Sequence, residues 1–248
     1  MIGWRARLGF LVPPGNPTVE PEMMALLPPG CSLHFARLHA TGAAGSLAGQ
    51  EDRNRQMLEG LDHSVDLLAM VHPAVIVLAH TATSYTLGRD AEAALVARIQ
   101  ARHPLRFITA FGSVLAALSA IGARRIAFGT PYAMETTLRG KAHLEAHGIE
   151  VVHFGILPGV VNIYDETPER AYQLGRQVDH KDADAVFLSG VGMPTIATLA
   201  ALEQDLGKPV ISAASAMMWH ALRTAGVQAP VPGSGMLLGT STTHSTAN

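Results

Sequence analysis

Two stretches of the chain look like copies of one another, and this internal repeat constrains the fold more than any other feature. The first runs VIVLAHTATS, from Val75 to Ser84, and the second runs VFLSGVGMPT, from Val186 to Thr195. Each is a short apolar run that ends in a loop of small and hydroxyl-bearing residues, with His80 in the first loop and Gly190 at the matching place in the second. Such runs are typical of buried parallel strands, and open α/β sheets bind ligands beyond the carboxyl ends of their strands. The repeat therefore predicts two similar α/β units whose loops meet at one site.

The rest of the chain follows the same plan, because short apolar runs alternate with segments of helical length. The periodicity predicts strands such as Arg7–Val12 and Arg125–Gly129 and a helix over Glu51–Met70. We therefore predict an α/β fold with two pseudo-symmetric lobes, each a mainly parallel four-stranded sheet flanked by helices, and an active-site cleft between them. The predicted first lobe comprises residues 1–113 plus 214–240, and the predicted second lobe comprises residues 114–213.

Composition limits the partners of such a fold. Of the 248 residues, 48% are apolar and only 15% are charged, and the formal net charge is −2. Because nucleic acids and anionic membranes attract clustered Lys and Arg, we expect neither as a partner. No apolar run reaches the roughly 18 residues of a membrane-spanning helix. The apolar run near the N-terminus is predicted to be a strand rather than a signal peptide, so a cytoplasmic location is the expectation.

The cysteine and histidine content limits metal chemistry. Cys31 is the single cysteine, so it cannot form an internal disulfide or build a thiolate metal site. The twelve His residues are scattered and show no zinc-binding spacing. We therefore predict no metal site.

His80 is the first candidate for chemistry. An imidazole has a pKa near neutrality and can donate or accept a proton at physiological pH. Thr81, Thr83 and Ser84 follow it, and their hydroxyl and backbone N–H groups can stabilise the charge of an enediolate, the species formed when a carbon acid loses a proton or CO2. For His80 the alternatives are a hydrogen-bonded structural His and a donor that orients a ligand without proton transfer. For the hydroxyl residues the alternative is an ordinary Ser/Thr-rich loop with a cap at a helix start.

Two further polar residues follow predicted strands. Tyr132 comes after Pro131, so its loop is stiff, and its phenol can bind a carboxylate or donate a proton. Asn16 lies in the sequence PPGNP, where turn formation is the alternative to ligand contact. Gly190 has no side-chain chemistry, and it can expose its backbone N–H or make room for a larger substrate.

The chain resembles the aspartate/glutamate racemase superfamily. Within that superfamily it is most similar to maleate cis-trans isomerases and, more loosely, to arylmalonate decarboxylases. Segments that carry the resemblance occur in order along nearly the whole chain, and they are specific for the superfamily only when taken together. They are LGFLVPPGNPTVEPE (8–22), VLAHTATSYTLG (77–88), RRIAFGTPYAMET (124–136), FLSGVGMPT (187–195), LGKPVISAASAMMWHALR (206–223) and PVPGSGMLL (230–238).

The resemblance implies specific roles for site residues. Maleate isomerases and racemases of this superfamily carry a Cys at the end of the central strand in each lobe, and the decarboxylases carry only the second. His80 and Gly190 stand at those two positions here, so the resemblance implies that both thiols are missing. It also implies that Asn16 and Tyr132 bind a substrate carboxylate and that Asn162 makes a further polar contact. It further implies that Thr81, Ala82 and Ser84 lie in a loop that donates hydrogen bonds to carboxylate oxygens. We also predict that Thr83, Gly190 and Val191 bind substrate.

We therefore predict a cofactor-independent isomerase or decarboxylase-like lyase that acts on a small carboxylic or dicarboxylic acid through an enolate or enediolate. His80, acting with Tyr132, is the predicted catalytic group in place of the thiol. Two alternatives stay open: a maleate isomerase-like protein that binds a dicarboxylate without catalysis, and a hydrolase in which His80 activates water. The sequence determines neither the substrate nor the oligomeric state, although relatives of this kind are often homo-oligomers.

Overall fold

The computed structural model describes residues 2–239, and two parallel sheets of four strands form its framework. Residues 1 and 240 of the predicted first lobe lie outside this range. The first sheet contains β1 (Ala6–Val12), β2 (Cys31–Arg37), β3 (Val75–Leu78) and β4 (Arg106–Thr109), in the order β2-β1-β3-β4. The second contains β5 (Arg125–Thr130), β6 (Glu150–Ile156), β7 (Ala185–Leu188) and β8 (Val210–Ser212), in the order β6-β5-β7-β8. The two sheets have the same topology, so the predicted α/β fold with two similar halves is confirmed.

Helices connect successive strands in both halves. They are α1 (Val19–Ala25), α2 (Gln50–Glu59), α3 (Leu61–Ala69), α4 (Thr81–Leu87), α5 (Arg89–Arg102), α6 (Ala110–Ala120), α7 (Met134–Ala146), α8 (Pro168–Val178), α9 (Leu199–Leu206), α10 (Ala213–Thr224) and α11 (Met236–Gly239). The prediction of a single helix over Glu51–Met70 is wrong, because the helix is interrupted at Gly60, which lies between α2 and α3. Glycine is a poor residue for a helix interior, which favours a break at this position. Within the described range, no helix is both long and apolar enough to cross a membrane.

Alternating side chains of the central strands separate three apolar layers. Leu8 and Phe10 of β1 point into a central core shared by both sheets, whereas Leu11 points into an outer core covered by α3 and α5. In the second sheet Phe128 joins the central core, and Ala127 faces the outer core formed with α8 and α9. This period of two is what parallel strands covered on both faces require.

Helices α6 and α10 pack against each other within the central core. Each follows the last strand of its own sheet, and each also contacts the other sheet, α6 at β8 and α10 at β3 and β4. The carboxyl ends of β1, β3, β5 and β7 are thereby held close together, which places the loops of the sequence repeat at one interface.

A buried ionic network joins the two halves beside these loops. Glu92 of α5 accepts hydrogen bonds from the hydroxyls of Ser84 (2.7 Å) and Thr109 (2.5 Å), and its other carboxylate oxygen lies 2.9 Å from Nε2 of His143 in α7. Burial opposes ionisation of this carboxyl, but the hydrogen bonds from His143, Thr109 and Ser84 outweigh it, so the pKa of Glu92 is lowered. The network fixes the helix that follows His80 against the second half of the chain.

Glu22 of α1 makes a second polar link across the interface. Its Oε1 accepts the backbone N–H groups of Thr195 (2.5 Å) and Ile196 (2.8 Å), which lie in the loop after β7. Burial raises the pKa of Glu22 from 4.5 to about 7, although these two N–H groups act in the opposite direction. The carboxyl of Glu22 therefore joins α1 to the loop after β7, and its charge changes near neutral pH.

We expect Glu22 to make folding stability depend on pH. Because its pKa is raised in the folded protein, the folded state binds more protons than the unfolded state between pH 4.5 and about 7, and stability falls as the pH rises through this window. A shift of this size corresponds to about 3 kcal/mol. Glu22→Gln keeps an oxygen for both N–H groups and does not titrate, so this loss should disappear. Urea unfolding at pH 5 and pH 8 measures the difference.

Glu59→Gln is the matched control, since Glu59 is an exposed carboxylate in α2. It should follow the pH dependence of the unmodified protein. If Glu22→Gln also retained that dependence, the titration of Glu22 would have no effect on stability.

Candidate functional site

His80 lies at the carboxyl end of β3, immediately before α4, where the sequence repeat places it. Its backbone is extended, with φ −154° and ψ 111°, so the chain turns sharply from strand to helix at this residue. The side chain is only 5% exposed, and its Nδ1 atom is buried without a hydrogen-bond partner among the described residues. A buried nitrogen without a protein partner is costly in a structural residue, and it therefore calls for a ligand or water.

A small cavity of about 20 Å³ lies beside His80. A volume of this size holds about one water molecule and is far below the several hundred Å³ of typical substrate pockets. Its lining comes from the loop after β1, the segment between β2 and α2, α2 itself, His80, and the residues just after Asn162. These residues are Pro13, Pro14, Ala44, Gly45, Ser46, Gln50, Arg53, Asn54, Met57, His80, Ile163 and Tyr164.

One face of α2 supplies the polar part of this lining. Gln50, Arg53, Asn54 and Met57 follow the spacing i, i+3, i+4, i+7, which places them on the same side of a helix. Asn54 is buried, and its Nδ2 donates to the carbonyl of Ala82 (3.3 Å) and to the hydroxyl of Thr86 (3.0 Å). Its Oδ1, like Nδ1 of His80, is buried without a partner in the described chain.

The electrostatics around the cavity favour a neutral imidazole. Burial is the main cause that lowers the pKa of His80, to about 4, and the positive charge of Arg53 adds to it. The Arg53 guanidinium donates to the carbonyl oxygens of Ser46 and Ala48, so it is held in place beside the cavity. Among the described residues that line the cavity there is no carboxylate. At neutral pH the cavity therefore contains an unprotonated base next to a fixed cation.

Tyr164 closes the cavity from the second half of the chain. Burial raises the pKa of its phenol to about 12, so the group is a neutral hydrogen-bonding partner at physiological pH. Its ring lies directly against the backbone of Gly192, where an added Cβ would stand 2.7 Å from two ring carbons. A side chain at position 192 would displace this ring from the cavity wall.

Tyr132 belongs to a separate buried group of hydroxyls. Its phenol oxygen lies 3.1 Å from Oγ1 of Thr81, which accepts a hydrogen bond from Ser189 (3.2 Å); the Ser189 oxygen is 2.9 Å from the hydroxyl of Tyr85. The group spans both halves, because Thr81 and Tyr85 belong to α4 whereas Tyr132 and Ser189 follow β5 and β7. Burial raises the pKa of Tyr132 to about 12, which disfavours loss of its proton.

The two predicted asparagines make contacts that organise loops. Oδ1 of Asn16 accepts the N–H groups of Thr18 and Val19 at the start of α1, and its Nδ2 donates to the carbonyl of Val191 (3.3 Å). Oδ1 of Asn162 accepts the N–H of Tyr164, and its Nδ2 donates to the carbonyl of Ala44 (3.3 Å). Both side chains therefore hold the two halves together at the site, and their predicted contact with substrate stays a prediction.

The other predicted loop residues are buried at the start of α4. The hydroxyl of Thr83 donates to the carbonyl of His80 (2.8 Å), and that of Ser84 points away to Glu92. The carbonyl of Ala82 accepts from Asn54. Of the predicted residues, only His80 lines the cavity. The larger groove of about 770 Å³ between β2 and α3 contains none of them.

Gly190 is required by the backbone of the second loop. Its φ is +100°, and a Cβ at this position would lie 2.6 Å from Cγ of Pro131 and 3.7 Å from the hydroxyl of Tyr132. The carbonyl of Val191 next to it accepts from Asn16. The second loop is therefore packed against Tyr132 and the loop after β1, with no room for a side chain at Gly190.

Arg53, Asn54 and Tyr164 line the cavity but were not predicted from the sequence. The sequence did contain a signal for Arg53 and Asn54. They share one face of a polar helix with Gln50 and with the apolar residue Met57. Cys31 starts β2, so its thiol lies at the amino ends of the strands, opposite the site. Over residues 2–239, no group of three or more His, Cys, Asp or Glu is arranged to hold a metal ion.

Comparison with known proteins identifies the family and the fold. The family model for arylmalonate decarboxylase matches residues 8–238. Maleate isomerase from Nocardia farcinica is 28% identical over 246 residues, which cover 94% of this chain and 95% of the relative. Arylmalonate decarboxylase from Bordetella bronchiseptica is 28% identical over 241 residues, with coverage of 93% and 95%. The structure of a mutant of the Nocardia farcinica isomerase with a covalently bound succinylcysteine intermediate has a TM-score of 0.84 and 26% identity, and the match covers 94% of this chain and 98% of that one.

We expect Gly190→Ala to destabilise the protein more than an alanine at another left-handed glycine. The reason is that Gly190 combines a positive φ with a close contact to Pro131, and overpacking adds about 1 to 3 kcal/mol to the backbone strain. Gly148→Ala is the control, since Gly148 has φ +78° and no heavy atom within 4 Å of an added Cβ. Urea unfolding of both variants measures the difference, and equal losses would show that packing at Gly190 is loose.

Proposed function

The chain belongs to the arylmalonate decarboxylase family, and from that premise we propose that it is a cofactor-independent isomerase or decarboxylase in which His80 transfers the proton. Its substrate would be a small carboxylic or dicarboxylic acid, as the names of its maleate isomerase and arylmalonate decarboxylase relatives suggest. The reaction would pass through an enolate or enediolate, the intermediate that proton loss or CO2 loss next to a carboxylate produces.

The observation that carries this proposal is the state of His80. A buried imidazole with a free Nδ1 atom, at the carboxyl end of a central strand, stands where open α/β sheets hold their reacting groups. Its pKa of about 4 keeps it unprotonated, which is the form a general base needs. A carboxylate bound nearby would oppose the effect of Arg53 and raise this pKa towards the working pH, so the imidazole could also return the proton.

Arg53 supports an anionic substrate. Its fixed positive charge lies beside a cavity whose described lining has no carboxylate, and such an arrangement attracts anions. Tyr132 and Thr81 belong to the separate group of buried hydroxyls and do not line the cavity, so they would contribute neutral hydrogen bonds only once the site has opened for substrate. In this account Tyr132 binds and orients the substrate, because a phenol with a raised pKa is a weak proton donor.

A substrate needs more room than the cavity offers, and the segment before α2 is the part that would have to move. Gly45 accepts a hydrogen bond from the N–H of Ile163, Leu47 donates to the carbonyl of Val161, and Ala44 accepts from Asn162. These three hydrogen bonds to the second half have ordinary length and lie at a partly exposed segment, so their exchange for contacts with a ligand costs little. The carbonyls of Ser46 and Ala48 in the same segment accept from Arg53, so Arg53 would move with the segment. Substrate would then enter between the segment and Tyr164.

We expect His80→Asn to lower kcat on the true substrate by about 10²- to 10⁴-fold, because a positioned acid–base group contributes that much. Maleate and an arylmalonate are the first substrates to test, with products followed by NMR in D2O. Deuterium at the carbon next to the carboxylate would report protonation of the enediolate. Separate values of kcat and KM distinguish proton transfer from binding, since a role confined to binding raises KM alone.

His63→Asn is the matched control, because His63 is exposed on α3 and lies outside the cavity. It should leave turnover unchanged, and urea unfolding should show that both variants are folded. Near-normal kcat in His80→Asn would refute the catalytic role of His80. Tight binding of maleate without any product would instead favour a protein that binds a dicarboxylate without catalysis.

A further inference from the structure

Two buried polar atoms without partners belong to residues that line one small cavity. Nδ1 of His80 and Oδ1 of Asn54 make no hydrogen bond within the described chain, and both side chains are at least nine-tenths buried. The folded protein tolerates such atoms only when something else satisfies them. The site is therefore built for a third component.

The chemistry of the two atoms identifies that component. Oδ1 of Asn54 is an acceptor only, so its partner must donate a hydrogen, which a carboxylate cannot do. The amide orientation is set by Nδ2, which donates to Ala82 and Thr86. In the tautomer of neutral His80 that carries its proton on Nε2, Nδ1 is likewise an acceptor. A water molecule has the two donors that these atoms need, and a cavity of about 20 Å³ has room for about one.

We propose that this cavity holds a single water between His80 and Asn54, and that His80 activates the water to hydrate the carbon–carbon double bond of an unsaturated carboxylic acid. The inference rests on the proposed function, because it uses His80 as the proton-transfer group. It adds a reaction class, hydration, to the isomerisation and decarboxylation that the relatives suggest.

The step balances without a cofactor or an oxidant. Nδ1 of His80 takes one proton from the water, and the oxygen forms a bond to the β-carbon of the acid. The π electrons move to the α-carbon and give the enediolate of the neighbouring carboxylate, which then takes a proton at the α-carbon. The product is a hydroxy acid, equal to the substrate plus one water, and the imidazole returns to its neutral form.

The surroundings favour the nucleophilic form of the water. Arg53 places a positive charge beside the cavity, and a nearby opposite charge stabilises hydroxide relative to water. When both hydrogens of the water point to Asn54 and His80, its lone pairs are free for attack on carbon. The Nocardia farcinica isomerase forms a carbon–sulfur bond from a cysteine, as its succinylcysteine intermediate shows. In the present chain the single thiol, Cys31, lies at the opposite ends of the strands.

The proposal is tested with the full chain and maleate in water enriched in 18O, with products identified by NMR and mass spectrometry. The panel also contains fumarate, an unsaturated monocarboxylate and an arylmalonate. Hydration predicts a hydroxy acid with 18O in its hydroxyl group, and in D2O one deuterium on the adjacent carbon. An isomer or a decarboxylated acid without any hydroxy acid would overturn the hydration proposal and leave the proposed function standing. No conversion of any compound in the panel would overturn both.

Asn54→Leu tests the role of the water. Leucine has the same branching and number of side-chain heavy atoms as asparagine and lacks the acceptor, so formation of the 18O-labelled hydroxy acid should fall by about 100-fold, mainly in kcat. Thr86→Val is the matched control, since it removes a partner of the Asn54 amide nitrogen and leaves Oδ1 in place. It should retain most of the hydration rate. Equal losses in the two variants, or an unchanged rate in Asn54→Leu, would overturn the assigned position of the water.

Discussion

The docking of the strand-end loops of one sheet onto those of the other is the constraint on which the rest of this structure depends. These loops are polar, and they are buried because α6 and α10 hold the sheets together through a shared apolar core. Each buried donor and acceptor therefore needs a partner from the opposite half. Hydroxyl groups suit this interface because one oxygen can donate and accept at the same time, as Thr81 does between Tyr132 and Ser189.

This constraint gives His80 its chemical character. The interface removes the imidazole from water and places a fixed guanidinium near it, and both effects disfavour the charged form. Glu92 is buried in the same interface, but its carboxylate is hydrogen-bonded to Ser84, Thr109 and His143, which offsets the free energy lost on removing the charge from water. Nδ1 of His80 has no such partner between residues 2 and 239, so its free nitrogen is a feature of the site and not of the packing. The proposed catalytic role follows from that contrast.

The sequence predicted the sheets, the repeat and the position of His80, because these depend on the local pattern of apolar residues and on the order of strands and helices. It did not predict Arg53 and Asn54, since a polar helix normally faces solvent and only the fold places α2 over a cavity. The structural roles of Glu22 and Glu92 were not predicted for a related reason. Their partners, among them Thr195 and His143, lie in distant parts of the chain. The interruption of the helix at Gly60 was not predicted, because the residues on both sides of it have a helical pattern.

Roles within the cleft are unequal although the two halves share one topology. In the second loop the positive φ of Gly190 and its contact with Pro131 exclude a side chain, and this loop therefore acts through its backbone and its packing. In the first loop the extended backbone at His80 carries a side chain to the cavity. A symmetric scaffold with one reactive side chain cannot pass a proton between two opposed groups, so under the proposed function a single imidazole must remove and return the proton. Such a base suits reactions that need no second proton-transfer group, namely addition of a water that the cavity holds or loss of CO2 from the substrate.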